Sequence, residues 1–172
     1  MACAIVSGYA LDCKDTVGGI KNIYITELAN VLTVTENASG LVTAMTKGVG
    51  TKFFTYALEA RGANDFAQSI KADAGVGTVS YDQTLTINFV KLQYETQVKL
   101  DLLIKNRLSV IVQTKDGSYW LLGKEYGLEV TGGSANTGKA MSEFQGYNLI
   151  LTGMEKALAN EVDSSIIAAL LT

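Results

Sequence analysis

From Thr78 to Val90 apolar and polar side chains alternate almost without a break. Val79, Tyr81, Leu85, Ile87 and Phe89 fall on one side, and Thr78, Ser80, Asp82, Thr84, Thr86 and Asn88 on the other. A period of two sustained this long predicts a single strand with one buried and one wet face. At roughly 3.3 Å per residue the strand extends about 43 Å, which is long for a compact domain.

The period then changes. Residues 92–106 contain no glycine and are rich in helix formers. Leu92, Thr96, Leu100 and Leu103 share one helical face with Ile104 at its border, and Tyr94, Val98 and Leu102 form a second stripe. A helix lying on its own sheet needs one stripe. Two stripes fit either a further packing surface on a neighbouring subunit or a helix sunk deeply into one core.

A hairpin follows. Leu108, Val110 and Val112 alternate with Ser109, Ile111 and Gln113, and the chain turns at Lys115-Asp116-Gly117-Ser118 into a return strand from Tyr119 to Leu122. Asp-Gly supplies the positive φ that a tight hairpin needs. Further strands are expected over residues 22–27, 41–46, 52–59, 65–70, 127–131 and 145–152, the last with Tyr147, Leu149 and Leu151 on one face. Residues 132–138, Gly-Gly-Ser-Ala-Asn-Thr-Gly, read as a flexible loop. The tail reads as a short helix capped by Asp163 or a serine. Its Ile166, Ile167, Leu170 and Leu171 must dock on the chain's own body or on a partner.

These elements predict a mainly β fold, an antiparallel sandwich or barrel with one flanking α-helix. No shift of composition marks a linker and no repeat is seen, so residues 1–172 read as one domain. Residues 1–20 form an amino-terminal arm, and 155–172 a carboxyl-terminal arm or short helix.

Composition adds a direction. Hydrophobic residues make up 48% and charged residues 18%, against a usual charged fraction of about 25%. Less of the surface is given over to keeping molecules apart, which favours burial against other subunits. Proline is absent and glycine numbers 17, so every residue keeps a backbone N–H for a ladder. The net charge of −3 and pI near 5.0 give no basic footprint for gripping nucleic acid. The start of the chain, Met1 to Val6, carries no evident signal peptide. No apolar run reaches 18 residues, so no membrane partner is expected.

Candidate chemistry is sparse. Without histidine, Cys3 and Cys13 do not complete a four-ligand zinc site; they read as buried thiols, with a disulfide as the alternative. The missing histidine also removes Ser-His and Cys-His pairs. Gly133 to Ala140 carries the two glycines and the lysine of a phosphate-binding loop, but Ala140 stands where a Ser or Thr would hold magnesium, and too few residues follow for the helix that such a loop opens. Asp12 with Asp15, and Glu125 with Glu129, are conceivable carboxylate pairs that their spacing does not force together. Tyr119 and Trp120 offer either a ligand platform or ordinary core packing. Asn37-Ala38-Ser39 matches a glycosylation sequon and reads as chance. No catalytic residue, cofactor site or metal site is expected, and the chain reads as a non-enzyme.

The order of long strand, helix, hairpin, strand, glycine-rich segment and final strand is carried by GTVSYDQTLTINFVKLQYETQVKLDLLIKNRLSVIVQTKDGSYWLLG and by GYNLILTGME. It resembles the tail tube proteins of tailed bacteriophages and the related tube subunits of contractile injection machines. GIKNIYITEL also looks like the opening of phage virion structural proteins. The resemblance spans about residues 18–160 and is one of pattern and phrase. It implies hexameric rings stacked into a hollow tube, copies of the same chain and other virion proteins as partners, and passage of DNA through the lumen. It also implies a place in the virion tail after synthesis in the host bacterial cytoplasm. Ser80, Asp82, Thr84, Thr86 and Asn88 are then expected on the lumen or subunit face. Assembly contacts are expected at Tyr94, Val98, Leu102, Ile166, Ile167, Leu170 and Leu171, with ring stacking at residues 31–48 or 132–141. The alternatives at this point are another virion component (a ring adaptor, a baseplate piece or a capsid decoration protein) and a nucleotide- or ligand-binding protein.

Overall fold

The structure, a computed structural model, describes residues 17–58, 63–73 and 75–172. Cys3, Cys13, Asp12 and Asp15 lie outside the described residues, as does most of the expected amino-terminal arm. In chain order the elements are β1 (Ile20–Glu27), a single 3-10 turn (Leu28–Asn30), β2 (Val31–Glu36), β3 (Val42–Lys47), β4 (Phe54–Ala57), β5 (Asp65–Asp73), β6 (Thr78–Val90) and α1 (Tyr94–Lys105). There follow β7 (Leu108–Thr114), β8 (Tyr119–Leu122), β9 (Glu129–Asn136), β10 (Gly146–Glu155), β11 (Asn160–Glu161) and α2 (Ser164–Leu171). The fold is mainly β and antiparallel, as the alternations predict, with the flanking helix α1 and, in the tail, the short helix α2.

Two larger sheets pack face to face. A central sheet has the order β11-β8-β7-β1-β4, and an open sheet the order β5-β6-β10-β9. Ile23, Ile25, Val110, Val112 and Leu122 of the first meet Leu85, Ile87, Leu149 and Leu151 of the second. Full burial of each such side chain contributes about 1.5–3 kcal/mol, so this seam holds the two sheets in register.

The central sheet is covered on its other face too. Tyr24, Ile111 and Leu121 point away from the first seam and pack with Val42 of the β2–β3 hairpin, Phe53, Val162, and Ile167 and Leu170 of α2. Three layers result: hairpin with α2, central sheet, open sheet. Burial on both faces explains why β7 is buried at five successive positions, Leu108 to Val112, where a one-sided strand would alternate. In this layer burial, and next the neighbouring Tyr119, push the Tyr24 phenol above its usual 10.0.

Several expectations are corrected. Residues 132–136 are strand β9 and not loop, and residues 31–48 are chiefly the β2–β3 hairpin. The strand expected over 52–59 shortens to β4, and the one over 127–131 begins at Glu129. The β7–β8 turn stands as read, with Gly117 at φ +99°. The tail helix is capped by Asp163, whose side chain accepts the Ser165 N–H at 2.8 Å.

Candidate assembly surface

The outer face of the open sheet is the one broad sheet face among the described residues that no other layer covers. Ser80, Asp82, Thr84, Thr86 and Asn88 all lie on it, half-buried by one another and by their neighbours, while Leu85 and Ile87 point into the core. Register extends the polar rows sideways. Thr84 stands between Ala67 and Thr152, Thr86 between Asp65 and Ile150, and Asn88 beside Asn148. Asn148 donates its side-chain amide to Asn88 Oδ1 at 2.8 Å. Asn88 receives a further tie where its backbone N–H donates to Asn64 Oδ1 at 2.7 Å. Asp82 pairs with Lys71 at 2.5 Å. By strand alternation Asp65, Asp73, Asp82 and Glu129 share this face with Lys71, so it carries more acid than base. Gln83 interrupts the inner face; it is buried, and its Oε1 accepts the Gly123 N–H at 2.9 Å.

The edges of the two sheets differ. The central sheet ends in β11, of two residues, and β4, of four. Short edge strands are a common way of preventing unwanted pairing. The open sheet ends in β5, of nine residues, and β9, of eight. Because β5–β6, β6–β10 and β10–β9 are each antiparallel, these two edge strands, unpaired on their outer sides among the described residues, run in opposite directions. The strand expected over 127–131 is the first part of β9, and its continuation over residues 132–136 reads as loop in the sequence because Gly132 and Gly133 carry no hydropathy to alternate. A Cβ on Gly133 would lie 2.6 Å from the Asn148 carbonyl oxygen, so this strand runs where a side chain would not fit.

Beside β9 lies α1, entered through Lys91 at φ +76°. Leu100 is 4% exposed and Leu103 packs on the same core. The second stripe remains in solvent, with Tyr94 80%, Val98 45% and Leu102 59% exposed. Tyr94, Val98 and Ile104 face Gly132, Gly133 and Ala135 across a groove of about 650 Å³. Leu102 faces Phe54 and Tyr56 across a smaller cleft of about 300 Å³ on the other flank of the helix.

The remaining candidates fall elsewhere. Ile166, Ile167, Leu170 and Leu171 pack on the chain's own second core, with Ile167 and Leu170 fully inside it. Ile167 and Leu170 are thus taken up by internal docking and are not available for the assembly contact expected of them, whereas Ile166 and Leu171 are half-buried at the margin of that core. In the lysine-glycine segment, Gly133 to Asn136 belong to β9, no helix follows, and the Lys139 N–H donates to Glu143 Oε2 at 2.6 Å. Glu125 pairs with Lys156 at 2.8 Å and Glu129 with Arg107 at 2.7 Å, so the two carboxylates hold separate cations. Trp120 packs into the first core and Tyr119 into the second, on opposite faces of the central sheet. Asn37 closes the β2–β3 turn by accepting the N–H groups of Ser39 and Leu41.

Among the described residues no group of three or more His, Cys, Asp or Glu side chains could hold a metal ion. No helix among them is long and apolar enough to cross a membrane. No protein-family model matches the chain, and no curated protein or solved structure is significantly similar to it.

Proposed function

We propose that this chain is a structural subunit of a bacteriophage tail tube, which closes into rings by strand pairing and stacks those rings around a channel for DNA. The observation that carries the reading is the contrast between the two sheets. Among the described residues, one is covered on both faces and ends in short strands; the other keeps a bare polar face and two long edges, unpaired there and of opposite direction.

A free β9 edge meeting the free β5 edge of a second copy continues the antiparallel ladder. The two edges are different surfaces, so the contact is head to tail and closes into a ring when the rotation per copy divides a full turn. Closure removes every open edge of that sheet. The central sheet, the hairpin and α2 all sit on one side of the open sheet. Their bulk belongs on the outside of the ring, which leaves Ser80, Asp82, Thr84, Thr86 and Asn88 lining the channel. The exposed Tyr94 and Val98 stripe lies beside the β9 edge and would be covered by the arriving copy.

DNA affinity grows with the number of Lys and Arg contacts to phosphate. A wall of Thr, Ser and Asn with a slight acid excess gives the polymer little to hold, which suits passage over binding. The chain's place is then the virion tail, its partners are copies of itself and other virion proteins, and its output is geometry and not turnover.

Negative-stain images and light scattering of the purified protein test this reading. Rings or tubes are expected at high concentration. Uniform monomers would overturn it, and rings that never stack would point to an adaptor or decoration role.

A further inference from the structure

The open sheet is capped by exposed apolar side chains at both of its ends. At the end where β6 leaves the sheet stand Val90 and Tyr94, with Met141 and Phe144 on the 137–145 loop. That loop is closed on itself by the Lys139 N–H to Glu143 bond and by the Glu143 N–H to Ala140 carbonyl bond at 3.1 Å. Met141 at its tip is fully exposed.

At the opposite end the β5–β6 hairpin runs on after β10 has stopped. β10 pairs with β6 only as far as Tyr81, whereas β5 continues alongside to Thr78. Ile70 and Val79, which continue the rows that Phe66, Leu85 and Ile87 turn into the core further along the sheet, are left uncovered. Where β10 stops there is a notch of about 360 Å³ lined by Val79, Ser80, Tyr126, Met154, Glu155 and Lys156. Its walls are held in place: Lys156 pairs with Glu125 and lies 5.2 Å over the Tyr126 ring, and Glu155 accepts the Tyr126 N–H at 2.9 Å. One pole thus presents an apolar knob and the other an apolar hole. Each also has charge of both signs close by: Glu143 and Lys139 at the knob, and Lys156 with Glu125 and the buried Glu155 at the hole.

We infer that successive rings stack by seating the 137–145 loop of one copy, led by Met141, in the Val79–Tyr126–Met154 notch of a copy in the next ring. The inference rests on the tube reading and adds to it the partner of each pole. A knob and a hole at opposite ends of one molecule make a contact that does not close, and such contacts propagate into filaments. The unbranched thioether of methionine adapts to an irregular apolar pocket and packs well against an aromatic edge. The apolar surface exposed at both ends is removed from water in a single step.

The test images and sediments wild type, Met141→Asp, Val79→Asp, and a double variant with Met141→Asp and Val79→Lys, each with the wild-type circular dichroism spectrum. In both single variants tubes should give way to single rings, with the concentration needed for tube growth raised at least about tenfold. The double variant, which sets Asp against Lys at every junction, should restore tubes. Single variants that build tubes at the wild-type concentration would overturn the pole contact and leave the tube reading intact, as would a double variant no better than the singles. A wild type that forms neither rings nor tubes would overturn both.

Discussion

The carboxylate of Glu155, 5% exposed, accepts the backbone N–H of Tyr126 at 2.9 Å, and the same group receives the N–H of Glu125 at 3.1 Å and of Gly127 at 3.3 Å. One acid at the end of β10 thereby holds the whole turn between β8 and β9. Glu155→Ala would leave these donors without a buried partner, at a cost of about 2–4 kcal/mol. Glu155→Gln keeps an acceptor oxygen and should lose less. Urea denaturation of the dilute chain distinguishes them, and equal stability of Glu155→Ala and wild type would show that the turn does not depend on this group.

Asp163 gives a prediction with a pH sign. The Ser165 backbone N–H, and after it the Ser165 side chain, hold its carboxyl below the usual 3.8. A carboxyl depressed in the folded state stabilises fully above its unfolded pKa, and that stabilisation is lost as the pH falls through the lower folded value. Asp163→Asn keeps the cap but removes the titration. Melting temperature followed below about pH 4 should therefore fall more steeply for wild type than for Asp163→Asn. Parallel curves would exclude the cap as a source of acid sensitivity.

The two stripes of α1 should separate stability from assembly. Leu100 is in the core, so Leu100→Ala should cost about 2–5 kcal/mol in the isolated chain. Val98 is in solvent, so Val98→Ala should change monomer stability by no more than about 0.5 kcal/mol. It should nonetheless raise the concentration at which rings form. Unchanged ring formation would remove the β9 groove from the contact between neighbours.

Reading that stripe from the sequence succeeded because helix and sheet period are set locally. The 3.6-residue repeat at once separated Leu100 and Leu103 from Tyr94 and Val98, and the period of two placed Thr84 and Thr86 opposite Leu85 and Ile87. Other features depended on distant parts of the chain. Glycines hid the second half of β9, whose path is dictated by the close Asn148 carbonyl. Docking of Ile167 and Leu170 required Phe53 and Val42, more than a hundred residues away. The burial of Glu155 has no local signal, because an acid beside Lys156 reads as surface until the turn that it organises is seen. Hydropathy marked the tail as needing cover and left open whether the cover was the chain itself.

The proposed channel face can be tested by changing its charge. Thr84→Lys with Thr86→Lys places two cations on every subunit, on a face where Lys71 is already paired with Asp82. Assembled tubes should then retain DNA, with the retention weakening steeply as salt is raised. Tubes that form normally and pass DNA at the wild-type rate would place these threonines away from the channel.

The direction of the β5-β6-β10-β9 ladder has a mechanical consequence. Strands that run along a tube send their hydrogen bonds around its circumference, so resistance to bursting would come from backbone bonds shared by every copy. Along the length of the proposed tube, side-chain contacts would join one tier to the next. A conduit built in this way would be stiff as a hoop and compliant at its joints, able to flex as a whole without changing its bore.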